Sequence, residues 1–321
     1  MPHALLLTAP EGTGKGLLAQ ALAARLLCES PRGDLACGTC ASCNWLASGN
    51  HPDFRHIVPE AASADQESTS EAEKKKASRQ ILIDQIRDLE SFVYVGGHRG
   101  GARVVIIEPA EAMNVPAENA LLKILEEPPA SVYFILVSSY WRRLLPTIRS
   151  RCRVLKLPKP TVAEACKWLK GQGDAKAEEL LPLVGNAPLM AKRECEGGRG
   201  PVLGALLASL SEPGRDPLAL AARWQSQLQL KNDAGLPMEN FVRLLQAWVF
   251  NLALRKMADR DRIGATRAEA LRALAGRASS TGLIRCYNDL MKFRALASHP
   301  LNPQLFLEDM AERYLRALAG K

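Results

Sequence analysis

Hydrophobic and polar positions divide this chain into two parts with different periods. In the first part, short apolar runs of strand type alternate with segments in which apolar residues recur at helical spacing. The apolar runs cover residues 3–8, 54–58, 104–107 and 132–137, and the helical segments cover 17–27, 81–93 and 114–127. Strands that alternate with helices predict an α/β domain, and their nearly unbroken apolar character predicts a parallel sheet buried on both faces.

Two polar stretches interrupt this alternation. Residues 59–80 contain no aromatic residue and carry mixed charge, so they are predicted to form a mobile loop. The glycine-rich residues 96–101 predict a turn that leads into the strand at 104–107.

Beyond residue 157 the pattern is helical only. Pro158 and Pro160 mark a linker, and the glycine-rich residues 197–201 mark a second boundary. Helices are predicted at 161–169, 175–184 and 188–196, then at 218–230, 238–257, 265–274, 279–297 and 304–319. We therefore predict three domains: an α/β core over 1–157, a small helical domain over 158–200, and an all-α domain over 201–321.

Composition excludes several classes of protein. The 321-residue chain is 47% hydrophobic, which suffices for buried cores, but it has no apolar run long enough to cross a membrane. Its first residues lack the features of a secretory leader, so a soluble, cytoplasmic protein is expected. The formal charge of +8 is concentrated in residues 201–321, where 17 Lys/Arg face 11 Asp/Glu, and it permits contact with nucleic acid.

Four of the eight cysteines form one tight pattern, C-x8-C-x2-C-x2-C, at Cys28, Cys37, Cys40 and Cys43. Four thiolates at this spacing can surround Zn²⁺ tetrahedrally, whereas two-residue gaps do not suit simultaneous disulfides. We predict a small structural zinc module over 28–43, with redox chemistry or unligated thiols as the alternatives. The scattered Cys152, Cys166, Cys195 and Cys286 are predicted to be unreactive thiols in a reducing compartment.

A degenerate phosphate-binding loop follows the first strand. The letters APEGTGKG join that strand to a helix, and Gly12, Gly14 and Lys15 could cradle a phosphate. However, Gly16 stands where the full motif supplies a hydroxyl to Mg²⁺, and Ala9 replaces the first glycine. The alternative is that the loop is now only a tight turn between strand and helix.

Residues 140–159 carry seven positive side chains and no acidic one. Together with LLKILEEPP at 121–129, FILVSS at 134–139 and LLPTIRSRC at 144–152, this stretch resembles the clamp-loader branch of the AAA+ superfamily. The resemblance implies an AAA+ core, a helical lid over 158–200 and a helical collar over 201–321. It also implies that Arg151, in Ser-Arg-Cys, is an arginine finger presented to ATP on a neighbouring subunit.

The chain departs from the ATPases of this branch. They carry Asp-Glu after the strand at 104–107, where this chain has Glu108-Pro109, and their lid arginine corresponds to Leu189. The chain also begins almost at its first strand, so the segment that helps relatives enclose adenine is expected to be absent. We therefore expect that this chain neither hydrolyses ATP by itself nor binds it.

The resemblance further implies partners. They are the motor subunits (gamma/tau) and the delta subunit of a bacterial DNA polymerase III clamp loader, whose ring places a sliding clamp on primed DNA. Two alternatives stay open: an ATP-hydrolysing motor subunit that tolerates Gly16 and Pro109, and a zinc-containing DNA-binding module supported by the charge of +8. We expect Glu126 and Glu127 to pair with nearby arginines, without a partner being identified from the sequence.

Overall fold

The computed structural model describes residues 2–64, 78–94, 101–173, 175–181, 184–228, 236–260, 268–297 and 302–319. The chain divides into two units, Met1–Lys159 and Pro160–Lys321. In the described residues, no helix has the length and apolar character needed to cross a membrane.

The first unit is built on a five-stranded parallel sheet. The strands are β1 (Ala4–Thr8), β2 (Phe54–Ile57), β3 (Arg103–Ile107), β4 (Val132–Ser138) and β5 (Arg153–Lys156). Their order is β2-β3-β4-β1-β5, so β1 lies between β4 and β5, with Leu6 opposite both Leu136 and Val154. The helices of this unit are α1 (Lys15–Leu27), α2 (Ala41–Ala47), α3 (Glu60–Ala64), α4 (Ile83–Tyr94), α5 (Val115–Glu126) and α6 (Pro146–Arg151).

Both faces of the sheet are covered. Every residue of β1 and β3 is buried, and successive side chains point to opposite faces. One face packs Leu6, Val105 and Phe134 against α4 and α5, and the other packs Leu7 and Ile106 against α1. This confirms the predicted α/β class and its parallel core sheet.

Two features of this unit differ from the sequence prediction. Strand β5 was not predicted, because Arg153, Leu155 and Lys156 are exposed on an edge strand and give no apolar run. The second difference is at the start of the predicted loop over 59–80, where the short helix α3 forms. The backbone N–H of Ala61 in this helix donates to the Ser78 carbonyl at 3.0 Å. Residues 65–77 of that loop, and most of the predicted turn at 96–101, lie outside the described residues.

The second unit is helical throughout its described part, in agreement with the predicted all-α class. A 3-10 helix, Ala175–Leu180, lies between the first two of its α-helices. These are α7 (Val162–Gly171), α8 (Pro188–Glu196), α9 (Gly200–Ser211), α10 (Pro217–Leu228), α11 (Met238–Ala258), α12 (Ala268–Arg277), α13 (Ser280–Leu296) and α14 (Pro303–Leu318). Helix α9 was not predicted, because Gly200-Pro201 suggested a boundary, although proline is favourable in the first helical turn.

One hydrophobic cluster runs through this second unit, from Ala165 in α7 to Leu318 in α14. Its centre holds Trp224, Trp248 and Tyr314, all completely buried. The indole N–H of Trp248 donates to the Tyr314 hydroxyl at 2.8 Å, and that hydroxyl donates to the Leu210 carbonyl at 2.7 Å. The predicted division of this part into a lid and a collar at residue 200 stays a prediction.

Candidate functional site

The loop between β1 and α1 depends on two glycines. Gly12 and Gly14 have φ values of 73° and 98°, in the left-handed region that glycine adopts without strain. Gly14 precedes the first residue of α1, and the Thr13 hydroxyl donates to the Pro10 carbonyl at 2.7 Å. The loop therefore retains a backbone turn at a helix N-terminus, which is the geometry on which phosphate loops rely.

Lys15 is buried at the start of α1, with 7% of its surface exposed. Burial lowers the pKa of its ammonium, and the nearby carboxylates of Glu108, Glu111 and Glu11 act in the opposite direction. The lysine thus lies among several acidic groups. A phosphate that entered the loop would meet these carboxylates as well as the ammonium.

The Glu108 carboxylate occupies the space beside Gly16 that a side chain at position 16 would need. A Cβ atom built on Gly16 would lie 2.5 Å from Glu108 Oε1 and 2.9 Å from Oε2. Glu108 Oε2 lies 3.6 Å from His56 Nε2, and both side chains are about one-third exposed. In the sequence, Gly16 and Glu108 are two separate departures from the ATPase motifs. In the structure they are neighbours, because the Glu108 carboxylate occupies the space that a side chain at position 16 would need.

Glu111 was not singled out from the sequence, although it lies two residues beyond Pro109. Its Oε1 accepts the backbone N–H groups of Ser139 and Tyr140 at 2.9 and 3.2 Å. Its Oε2 is buried without a hydrogen-bond partner among the described residues. This carboxylate fixes the turn after β4 beside the phosphate loop.

The four predicted zinc ligands converge. The Sγ atoms of Cys28, Cys37, Cys40 and Cys43 all lie within 4.8 Å of one another. Two of the pairs, Cys28 with Cys40 and Cys37 with Cys43, are 3.9 Å apart. These separations are too long for disulfide bonds and close to the edge of roughly 3.8 Å expected for sulfur atoms about 2.3 Å from a tetrahedral Zn²⁺.

Local hydrogen bonds favour the thiolate form of two of these cysteines, whereas burial raises the pKa of the Cys43 thiol to about 12. The Ser30 hydroxyl and the backbone N–H groups of Thr39 and Cys40 donate to Cys37 Sγ and lower the pKa of that thiol to about 5. The backbone N–H of Cys43 donates to Cys40 Sγ and lowers the pKa of that thiol as well. Since thiolates are the form that binds metal, the cluster can hold a metal ion.

A buried relay behind the cluster was missed from the sequence. The backbone N–H of Asp53 donates to His51 Nδ1 at 3.0 Å, so Nε2 carries the proton and donates to the Ser42 hydroxyl at 2.7 Å. That hydroxyl in turn donates to the Leu27 carbonyl at 2.6 Å. Ser42 lies on α2, between Cys40 and Cys43 in the sequence. These hydrogen bonds therefore connect the cysteine cluster to the end of α1 and to the segment before β2.

Arg151 is the last residue of α6, and its side chain is 33% exposed. Its Nη2 donates to Glu126 Oε1 at 2.7 Å, and its Nη1 donates to the Thr147 carbonyl at 3.1 Å. Glu126, whose partner could not be identified from the sequence, therefore pairs with Arg151.

Three basic side chains of the segment after β4 lie near the indole ring of Trp141. The side-chain cations of Arg142, Arg149 and Lys156 lie 5.0, 5.4 and 5.4 Å from the centre of the Trp141 ring. These distances are within the range of cation–π interactions. The cluster is consequently a positive patch on the same unit as the phosphate loop.

The fold and these sites define a P-loop-type α/β domain with a degenerate phosphate loop, followed by helices. A family model described as DNA polymerase III, delta subunit, matches residues 1–161, just over half of the chain. The chain belongs to this family.

Curated relatives agree with that assignment. The DNA polymerase III subunit delta' of Pseudomonas aeruginosa is 47% identical over 195 residues, which cover 60% of this chain and 55% of that protein. The subunit delta' proteins of Yersinia pestis and Escherichia coli are 35% and 36% identical, over 65% and 56% of this chain. The matched part of the chain spans 60% and 49% of those two relatives, so it represents about half to three-fifths of their length.

Solved structures show weaker likeness. A DNA polymerase III gamma subunit-related protein from Thermotoga maritima is 17% identical, with a TM-score of 0.47 over 99% of this chain and 96% of its own. The RuvB Holliday junction branch migration motor of Thermotoga maritima is also 17% identical, with a TM-score of 0.36 over 86% of this chain and 81% of its own. Both scores are low, and neither comparison bears on function.

Proposed function

We propose that this chain is the delta', or stator, subunit of a DNA polymerase III clamp loader. In this role it joins motor subunits (gamma/tau) and the delta subunit in a ring that loads the sliding clamp onto primed DNA. Family membership over residues 1–161 and the names of the relatives support the proposal. The observation that carries the stator role is the pair Gly16 and Pro109, which leaves the phosphate loop without the hydroxyl and the carboxylate that ATP hydrolysis requires.

These two residues argue against ATP hydrolysis by the chain itself. A P-loop ATPase uses a hydroxyl at position 16 to hold Mg²⁺ and a carboxylate at position 109 to activate water. Gly16 and Pro109 supply neither group, and the Glu108 carboxylate lies where the hydroxyl side chain would be. The carboxylates of Glu108 and Glu111 act on Lys15 electrostatically, so they would weaken its attraction for the polyphosphate of ATP.

Arg151 is the residue that acts on ATP in this proposal, as a finger offered to the site of a neighbouring motor subunit. The guanidinium group stays charged at all physiological pH values and can donate two hydrogen bonds to phosphate oxygens, so it suits this role. The partial exposure of Arg151 at the end of α6 is compatible with contact to another chain. A finger supplied in trans contributes roughly 10³ to 10⁵ in rate.

In the proposed stator, the four cysteines hold a structural zinc ion. Their sulfur atoms fit a closed tetrahedron, which leaves no open position at which the metal could act on a substrate. The metal would supply folding free energy to the segment between α1 and β2, and no chemical step depends on it.

A second candidate function has one observation in its favour. The three cations around Trp141 would suit the phosphates of a DNA backbone, as in a zinc-containing DNA-binding module. Such a module would bind duplex DNA without other subunits, and its affinity would fall steeply with salt. The alternative of a motor subunit is not favoured, because it requires Gly16, Glu108 and Pro109 all to be tolerated.

The test is ATP turnover by a ring reconstituted from motor subunits, delta and this chain, with clamp and primed DNA. Arg151→Ala is compared with wild type and with Arg153→Ala, a control that removes an exposed arginine two residues away. Equal assembly of each ring is checked by size-exclusion chromatography. We expect Arg151→Ala, but not Arg153→Ala, to abolish ATP turnover at the site next to this chain. Unchanged turnover in an intact ring would refute the role of Arg151 as an arginine finger.

A further inference from the structure

Helix α6 is tied to α5 at both of its ends. At its start, the backbone N–H of Leu145 donates to Glu118 Oε2 at 2.8 Å, and Glu118 is buried. At its end, Arg151 Nη2 donates to Glu126 Oε1 at 2.7 Å. Two carboxylates from a single helix therefore fix a short helix that carries Arg151 as its last residue.

The contacts at Arg151 orient its guanidinium without using all of its donors. One N–H group goes to the Glu126 carboxylate and another to the Thr147 carbonyl, one turn back in α6. A guanidinium has further N–H groups in the same plane, and these can bind a second anion while the first two contacts persist. Fixing a long side chain in advance reduces the conformational entropy that is lost when it engages a phosphate.

We propose that Glu126 is a positioning residue for Arg151. It holds the guanidinium in one orientation together with the Thr147 carbonyl, and the remaining N–H groups bind the phosphates of ATP on the adjacent subunit. This inference rests on the proposed function, because it requires Arg151 to act in trans. Glu127 makes no such contact in the described part of the chain, so the effect belongs to position 126 and not to the paired acidic charge.

The experiment uses the complete ring with clamp and primed DNA, under single-turnover conditions that resolve the ATP hydrolysed next to this chain. Glu126→Ala is compared with Glu127→Ala, which removes the same charge one residue away. We expect Glu126→Ala to slow the affected phase roughly five-fold at saturating ATP, with an unchanged half-saturating ATP concentration. Glu127→Ala should react at the wild-type rate.

Two further variants separate positioning from general damage. Glu126→Gln keeps an oxygen that accepts the same hydrogen bond and should recover most of the rate. Glu126→Asp keeps the charge but shortens the reach, and it should be slow, which also provides a test if the alanine variant does not assemble. In an Arg151→Ala background, Glu126→Ala should have no further effect, because the two residues act as one unit.

The outcomes distinguish this inference from the proposed function. If Arg151→Ala slows the phase and Glu126→Ala does not, the positioning role is overturned and the finger stands. If Glu126→Ala slows the phase equally with and without Arg151, Glu126 acts by another route and the inference is again overturned. If Arg151→Ala itself has no effect in an intact ring, the proposed function and this inference both fall.

Discussion

The carboxylate of Glu118, in the first turn of α5, accepts the backbone N–H of Leu145 at 2.8 Å, immediately before α6 begins. Glu118 is only 5% exposed, and burial raises the pKa of its carboxyl above the ordinary value of 4.5, although the Leu145 N–H opposes this shift. A buried acid thus caps a helix from outside that helix. The arrangement has a consequence for the dependence of stability on pH.

Because the pKa of Glu118 is higher in the folded state than in the unfolded chain, the folded state binds more protons between those two pKa values. The contribution of Glu118 to the free energy of unfolding is therefore most favourable below pH 4.5 and declines as pH rises through the folded-state pKa. Glu118→Gln should remove this decline while keeping an acceptor for Leu145. Urea unfolding at several pH values measures it, and parallel wild-type and Glu118→Gln curves would contradict it.

Replacement of Gly16 by serine should destabilise the first unit by about 1 kcal/mol or less, because the new side chain has to displace the Glu108 carboxylate, which ends a flexible, partly exposed side chain. Glu108→Ala in the same chain should restore most of the loss. Gly171→Ser is the control, because nothing lies within 4 Å of a Cβ atom at that position. Thermal unfolding measures the effect, and equal shifts for the two serine variants would exclude the overlap.

Metal analysis after dialysis should find about one zinc per chain, and Cys40→Ser should greatly reduce it. A chelator should then lower the unfolding midpoint of the wild type but not that of Cys40→Ser, whose loss should be about 3 kcal/mol or more. Cys166→Ser, outside the cluster, should keep both the zinc and the response to chelator. A metal-free wild type with the same midpoint would exclude the zinc site.

In the second unit, Tyr314→Phe should lower the free energy of unfolding by about 2 kcal/mol. It leaves the indole N–H of Trp248 and the carbonyl of Leu210 without their buried partner. Tyr287→Phe is the control, since Tyr287 is only partly buried, and its contact with Phe250 is between rings. Similar losses for both variants would show that the relay through Tyr314 contributes nothing specific.

Local patterns predicted the elements that local chemistry specifies. Helix α5 begins as expected, with the Asn114 side chain accepting the backbone N–H of Ala117 at 2.9 Å, and it ends before Pro128-Pro129. Strands β1, β3 and β4 are buried on both faces and were recognised by their apolar runs. The order and spacing of the cysteines also sufficed to predict their convergence.

Features that depend on distant pairs were not predictable from one sequence. Strand β5 forms because β1 offers it a partner, and two of its own four residues are charged. The contact of Glu126 with Arg151 joins residues 25 positions apart. The hydrogen bond between Ser42 and His51 joins polar residues that give no periodic signal in the sequence. Such contacts arise from tertiary packing, which propensity and spacing do not encode.

The shared volume of Gly16 and Glu108 also limits how this chain can change over generations. A hydroxyl at position 16 is obstructed while Glu108 is present, and replacement of Glu108 alone still leaves neither a hydroxyl nor a base at position 109. No single substitution therefore completes the site, and several would be needed together. Under the proposed function, this chain would therefore have no one-substitution route to ATP hydrolysis, even though the turn of the phosphate loop is intact.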